Sequence, residues 1–173
     1  MLEVARTRAG VAGLKLGTAE QLPFKDGWFE RATMWLVVHL LDRPRAYAEI
    51  RRVLADEGRI GVATFDPSYF GLFWFRDYFP SMEGIDRARF PTRDDFEAEL
   101  TAAGFAAPGF QRISQRASVS RDVALERIRG KHIATFDLIS EDEYRTGLER
   151  AERDLPEQVN YRQEWLIAVA GTA

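Results

Sequence analysis

The sequence offers two histidines, His39 and His132, and no cysteine. Thiolate zinc sites, cysteine nucleophiles and disulfide frameworks are therefore out of reach. A metal centre would have to lean on carboxylates, and no acidic cluster has a matching spacing, so no metal is expected. The dinucleotide fingerprint GxGxxG, the P-loop, the GxSxG nucleophile elbow and HExxH are all missing, which removes the usual support for dehydrogenase, nucleotidase, hydrolase and zinc-peptidase chemistry. The 24 basic and 27 acidic residues give a net charge of -3 and are interleaved. That pattern makes a solvated surface, not a nucleic-acid footprint. The densest remaining group is aromatic, Phe70, Phe73, Trp74, Phe75, Tyr78 and Phe79, and the stretch reads as a lid or covering helix.

These residues need elements to position them. A chain of 173 residues, 46% hydrophobic, fits one domain with a core that needs no disulfides. An intracellular, cytoplasmic protein is the simplest expectation. The longest apolar run, Met34 to Leu41, is broken by His39 and falls far short of the ~20 residues of a membrane helix. Charges interrupt the first ten residues, so they do not read as a signal peptide. Leu2, Val4 and Ala5 suggest a short helix closing at Gly10, and residues 11–16 a strand stopping at Gly17. Residues 32–41 read as a strand covered on both faces, with Trp35 in the core.

Asp42 and Pro44 suit the start of a helix carrying Ala46, Tyr47, Ile50, Val53 and Leu54, with Arg51 and Arg52 on its solvated face. Ile60, Val62 and Ala63 make the next strand, and strand, helix, strand implies a parallel pair. Thr92 and Asp95 form a capping box for a helix with Phe96, Leu100 and Ala103 inside, ending at Gly104. Residues 110–117 read as a strand, 120–129 and 140–153 as helices, the second opened by Ser140 with Glu143. The apolar strand Trp165 to Ala170 would pair with 110–117.

Three segments together carry a resemblance. They are Leu16-Gly17-Thr18-Ala19-Glu20-Gln21-Leu22-Pro23-Phe24, then Val37-Val38-His39-Leu40 leading to Ala48-Glu49-Ile50-Arg51-Arg52-Val53-Leu54, then Gly58-Arg59-Ile60. In order and spacing they resemble class I S-adenosylmethionine-dependent methyltransferases of the ubiquinone-biosynthesis type. The block from Phe90-Pro91-Thr92 to Ala102-Ala103-Gly104-Phe105 resembles the region after the family's fifth strand. The resemblance implies an α/β fold with a Rossmann-like, mostly parallel sheet and an antiparallel carboxyl-terminal hairpin. Residues 11–16 would be family strand 3, 32–38 strand 4, 60–64 strand 5, and the late pair strands 6 and 7. Strands 1 and 2 and their glycine-rich loop are not encoded, so residues 1–173 are expected to be a single partial domain, truncated at the amino terminus.

The same resemblance implies S-adenosylmethionine as cofactor, held weakly or not at all by this chain, and methyl transfer to a small molecule. Gly17, Thr18, Ala19, Glu20 and Val37 would lie against the cofactor. At Thr18 the family commonly has an aspartate for the adenine amino group; here only a hydroxyl is offered, while the Ala19 N–H remains a backbone donor. His39 would act as a base or orient the acceptor, its plain alternative being a half-buried histidine that holds the loop. Phe65, Asp66, Tyr69 and Phe70 would wall an acceptor pocket or else simply pack a helix, and His132 would be a surface residue. Without strands 1 and 2, either strand 3 pairs beside strand 4 or the exposed edges recruit another chain, giving a homodimer or swapped assembly. A non-catalytic binding or dimerisation module is the competing expectation.

Overall fold

The computed structural model describes Thr7 and residues 13–173; the helix expected before Gly10 and the first part of the strand at 11–16 lie outside them. Four strands, β1 (Phe29–Trp35), β2 (Leu54–Phe65), β3 (Gly109–Ser120) and β4 (Gln158–Gly171), form one sheet in the order β1-β2-β4-β3. β1 and β2 are parallel, and β4 is antiparallel to both β2 and β3. The described sheet therefore has one parallel pair, and β4 lies inside it with β3 at the edge.

Helix α1 (Arg43–Val53) joins β1 to β2, with Asp42 as its cap and Pro44 in its first turn. It buries Ala46, Tyr47, Ile50 and Val53, the expected stripe. Helix α2 spans Ser81–Arg89 and α3 spans Arg93–Ala102. The capping box of α3 is complete: Thr92 Oγ1 accepts from the Asp95 N–H at 3.2 Å and the Asp95 carboxylate from the Thr92 N–H at 2.8 Å. The Thr92 N–H, and the Thr92 hydroxyl donating to the same Asp95 oxygen at 2.7 Å, hold the Asp95 carboxyl below its ordinary pKa. Gly104 follows at φ +87°, a left-handed conformation open to glycine without steric cost.

α1 and α3 cover one face of the sheet. Tyr47, Ile50, Phe96 and Leu100 pack on Met34, Ile60, Val62, Leu166, Ala168 and Ala170. The other face is open among the described residues: Trp35 is 68% exposed, Ile113 45% and Val169 44%. The expectation of a doubly covered first strand with Trp35 inside is thus corrected. Strand alternation turns Met34 inward and Trp35 outward, where it leans on Trp165 at 5.3 Å between ring centres.

β1 also ends earlier than the apolar run suggested. Leu36 takes a positive φ of 47°, donates its N–H to Ala63 O at 2.8 Å, and releases the chain into a 3-10 turn, Val38–Leu40. Upstream, Gly13–Leu16 form no ladder, with Leu16 83% exposed. Strand 3 does not pair beside β1 among the described residues, whose local bridge is Thr18 with Gln21. A short alternation without a buried partner does not make a strand. Arg52 is likewise no free surface charge, because it binds Glu49 and Asp26 and donates to the carbonyls of Leu22 and Phe24, fastening that loop to α1.

β3 and β4 run on together past the end of β2, from the Ser114–Glu164 pair to Ser120–Gln158. Their projecting arms carry α4 (Arg121–Arg129), a 3-10 turn at Ala134–Asp137 and α5 (Glu141–Asp154). The expected hairpin therefore holds a helical insertion at its tip. The aromatic stretch before α2 is two 3-10 segments, Pro67–Leu72 and Trp74–Asp77, in place of one helix, and α2 itself went unanticipated. Phe75, Phe79 and Met82 form a second core with Leu125, Ile128, Phe136, Ala151 and Leu155 of the insertion. At the start of α5, Ser140 Oγ accepts from the Glu143 N–H, but the Glu143 carboxylate turns to the Ser81 N–H and hydroxyl at 2.9 and 2.6 Å. Half of the expected second capping box thereby becomes a tie between α5 and α2.

Candidate active site

Segments leaving the carboxyl ends of β1 and β2 enclose, with α2 and the helical insertion, a cavity of about 470 Å³. Ligands of open α/β sheets bind outside these strand ends. Phe65, Phe70, Phe73, Trp74 and Phe90 give it an aromatic wall. Phe90, buried at the end of α2, organises that wall, because its ring meets Phe70 edge-on at 4.9 Å and lies flat on the His39 imidazole at 4.1 Å.

His39 comes from the 3-10 turn after β1. Burial pushes its pKa below 6.5, Arg89 adds to that push and Asp86 opposes it; the imidazole is therefore neutral at pH 7. Its Nδ1 is buried without a hydrogen-bond partner among the described residues. Beside it, Asp86 Oδ1 accepts from Thr135 Oγ1 at 2.6 Å and from Arg89 Nη2 at 2.8 Å, and Arg89 Nη2 also reaches Thr135 Oγ1 at 2.8 Å. Thr135 is 1% exposed. This triangle fastens the insertion to α2 at the cavity, and Arg43, paired with Glu99, donates to the Arg89 carbonyl from behind. Nothing in the spacing of 46 and 49 residues between Thr135 and its partners announced it.

Of the sequence-derived acceptor residues, Phe65 and Phe70 stand on the cavity wall and Asp66 and Tyr69 do not. Both Asp66 oxygens are engaged: Oδ1 accepts from the Ser68 N–H and hydroxyl, and Oδ2 from Arg112, whose guanidinium also donates to the Tyr69 hydroxyl. His132, exposed as expected, nevertheless contributes to the cavity lining.

The loop at 17–20 meets the segment after β1. The Glu20 carboxylate accepts from the Asp42 N–H at 3.2 Å, and Val37, half-buried in that segment, uses its carbonyl on the Leu40 N–H. Gly17 lies so close to Pro23 that a Cβ would stand 2.8 Å from its Cδ. Thr18 is exposed and its carbonyl accepts from the Gln21 N–H; the Ala19 N–H makes no such bond among the described residues.

Residues 1–62 match the family model described as a methyltransferase domain. The chain is 28% identical over 130 residues to a ubiquinone/menaquinone biosynthesis C-methyltransferase of Citrifermentans bemidjiense, covering 61% of this chain and 55% of that one. With a malonyl-acyl-carrier-protein O-methyltransferase of Geobacter sulfurreducens it shares 38% identity over 98 residues, 50% of this chain and 35% of the relative. Among solved structures, a protein of Anabaena variabilis described as a methyltransferase from an antibiotic biosynthesis pathway matches with a TM-score of 0.61 at 19% identity, covering 87% of this chain and 70% of that chain. The fold is that of the Rossmann-like methyltransferases. In sequence the chain is similar to methyltransferases, among them the ubiquinone/menaquinone-biosynthesis enzymes. It spans about half the length of the first such relative.

Proposed function

We propose that this chain serves S-adenosylmethionine-dependent methyl transfer to a small molecule, with the cavity beside His39 as the acceptor pocket. The observation that carries the reading is the aromatic cavity at the carboxyl ends of β1 and β2, adjoining the segment that Glu20 ties to the 17–20 loop. Kinship supports methyl transfer and leaves the acceptor to the cavity, since the two relatives act in quinone biosynthesis and on a malonyl carrier.

S-adenosylmethionine supplies a methyl group on a sulfonium when bound. The residues present fit the adenine edge of such a ligand: among the described residues the Ala19 N–H is unspent for a ring nitrogen, Thr18 is exposed, and Gly17, Glu20 and Val37 shape the adjoining backbone. The rest of the work belongs to the acceptor side. Phe65, Phe70 and Phe90 exclude water and hold a flat acceptor in one orientation, which is where most of the acceleration of an in-line displacement arises. His39, neutral at pH 7, accepts the proton that the attacking atom gives up. Asp66 and Tyr69, both bound by Arg112, stand off the cavity wall. The protein works in the cytoplasm on this reading; no helix among the described residues is long and apolar enough to cross a membrane.

The open sheet face and the outer edge of β1, unpaired among the described residues, favour a second reading, a non-catalytic methyltransferase-like module that binds a partner or forms a homodimer or swapped assembly. Calorimetric titration with S-adenosylhomocysteine separates the two. Transfer chemistry predicts a Kd on the order of micromolar; no heat at millimolar ligand leaves the binding module.

A further inference from the structure

The cavity lining carries three arginines, Arg76, Arg89 and Arg127, against two carboxylates, Glu83 and Asp86. Arg89 is paired with Asp86 at 2.8 Å, and Arg76 lies 3.7 Å from Glu83 and 3.8 Å from Asp77. Arg127 is different. It projects from the last turn of α4, is half-buried, and among the described residues its guanidinium has one hydrogen bond, from Nη1 to the Tyr161 hydroxyl at 3.2 Å. No carboxylate among the described residues pairs with it. The carbonyls at the end of α4 ease the charge a little, but a partly desolvated cation without a counter-ion costs free energy that an anionic ligand would recover.

The neighbouring groups point the same way. Tyr161 spends an oxygen lone pair on Arg127, which leaves its own O–H proton to donate. Both residues line the cavity whose remaining wall is largely aromatic. We propose that the acceptor is a flat, apolar molecule carrying an anionic group such as a carboxylate, which Arg127 and Tyr161 receive while the aromatic wall takes the ring system. This rests on the cavity being the acceptor pocket. A guanidinium and a phenol offer convergent donors that match a carboxylate's two oxygens, so the anion acts as the anchor that fixes which atom of the acceptor faces the methyl group.

The test uses 2-naphthoate and the uncharged 2-naphthamide, two probes of nearly the same shape, titrated into the whole chain by calorimetry. The wild type is expected to bind the naphthoate about tenfold more tightly, a difference of about 1.4 kcal/mol. Arg127→Met is expected to erase the preference while leaving naphthamide affinity within twofold, and Arg127→Lys to keep part of it. Equal affinities in the wild type, a preference that survives Arg127→Met, or no binding of either probe at millimolar concentration overturns the proposal. The wild-type comparison decides even if Arg127→Met fails to fold. S-adenosylhomocysteine titrated in parallel keeps the two claims apart: if it binds while the naphthoate preference is absent, the anionic anchor falls and methyl transfer stands. If the naphthoate preference appears without S-adenosylhomocysteine binding, the anion site stands and methyl transfer falls.

Discussion

Phe90→Ala is expected to destabilise the protein by about 3–5 kcal/mol, the range for deleting a buried phenylalanine ring, and to free His39 at the same time. Phe90 is 8% exposed and touches His39, Phe65 and Phe70, so its loss opens a void that rigid neighbours fill poorly. Denaturant unfolding measures the first effect. The second is read by NMR titration of the His39 ring. In the wild type its pKa is held below 6.5, chiefly by burial. The unfolded chain therefore binds a proton more readily than the folded one between that lowered value and 6.5. Stability from this group is complete above pH 6.5 and is lost as pH falls through the window. In Phe90→Ala, water reaches the ring, the pKa returns toward 6.5, and this part of the acid sensitivity shrinks. An unchanged His39 titration in a folded Phe90→Ala protein would show that Phe90 does not desolvate the histidine.

The second large effect is expected at Gly147. In an ordinary helix interior, replacing glycine by alanine stabilises by about 0.5–1 kcal/mol. Here the added Cβ would fall on the Phe79 ring and lie 2.7 Å from the Tyr78 carbonyl oxygen. Phe79 is fully buried and is held by edge contact with Phe136, so neither it nor the backbone can yield cheaply. Gly147→Ala is expected to lose about 1–3 kcal/mol, the range for overpacking a core, with a lowered Tm in calorimetry. A neutral or raised Tm would mean that α5 is not packed against the 73–79 segment as described.

Where local chemistry decides the structure, the residues were sufficient. Asp42 with Pro44 placed α1, and Thr92 with Asp95 placed α3, because capping is settled within four residues. The apolar stripe of α1 followed from periodicity, and the pairing of the late strands from their apolar composition and the resemblance. Residue pattern failed where the answer depends on what lies across the chain. Trp35 reads as core from its neighbours, and only the absence of a layer over that face among the described residues leaves it exposed. The apolar run 32–41 concealed a left-handed turn at Leu36 that no glycine marked. Asp66 sits where an acceptor ligand was expected, yet Arg112, 46 residues on, claims it.

The cavity was legible only in part. His39, Phe65 and Phe70 were anticipated from the resemblance. Phe90, the Asp86–Arg89–Thr135 triangle and Arg127 were not, because they lie on α2 and on the insertion between β3 and β4. Arg127 in particular looks like any solvated helix charge until its lack of a carboxylate partner among the described residues is seen in three dimensions.

The most direct measurement is an NMR map of the chain titrated with S-adenosylhomocysteine, reading backbone amides and the His39 ring together. A shared site predicts saturable shifts at the Ala19 amide and at His39 with one common Kd, and no concerted change at Ile113 or Val169 on the open sheet face. Shifts confined to that open face, or no saturable shift at Ala19 and His39, would contradict a methyl-transfer site at the ends of β1 and β2.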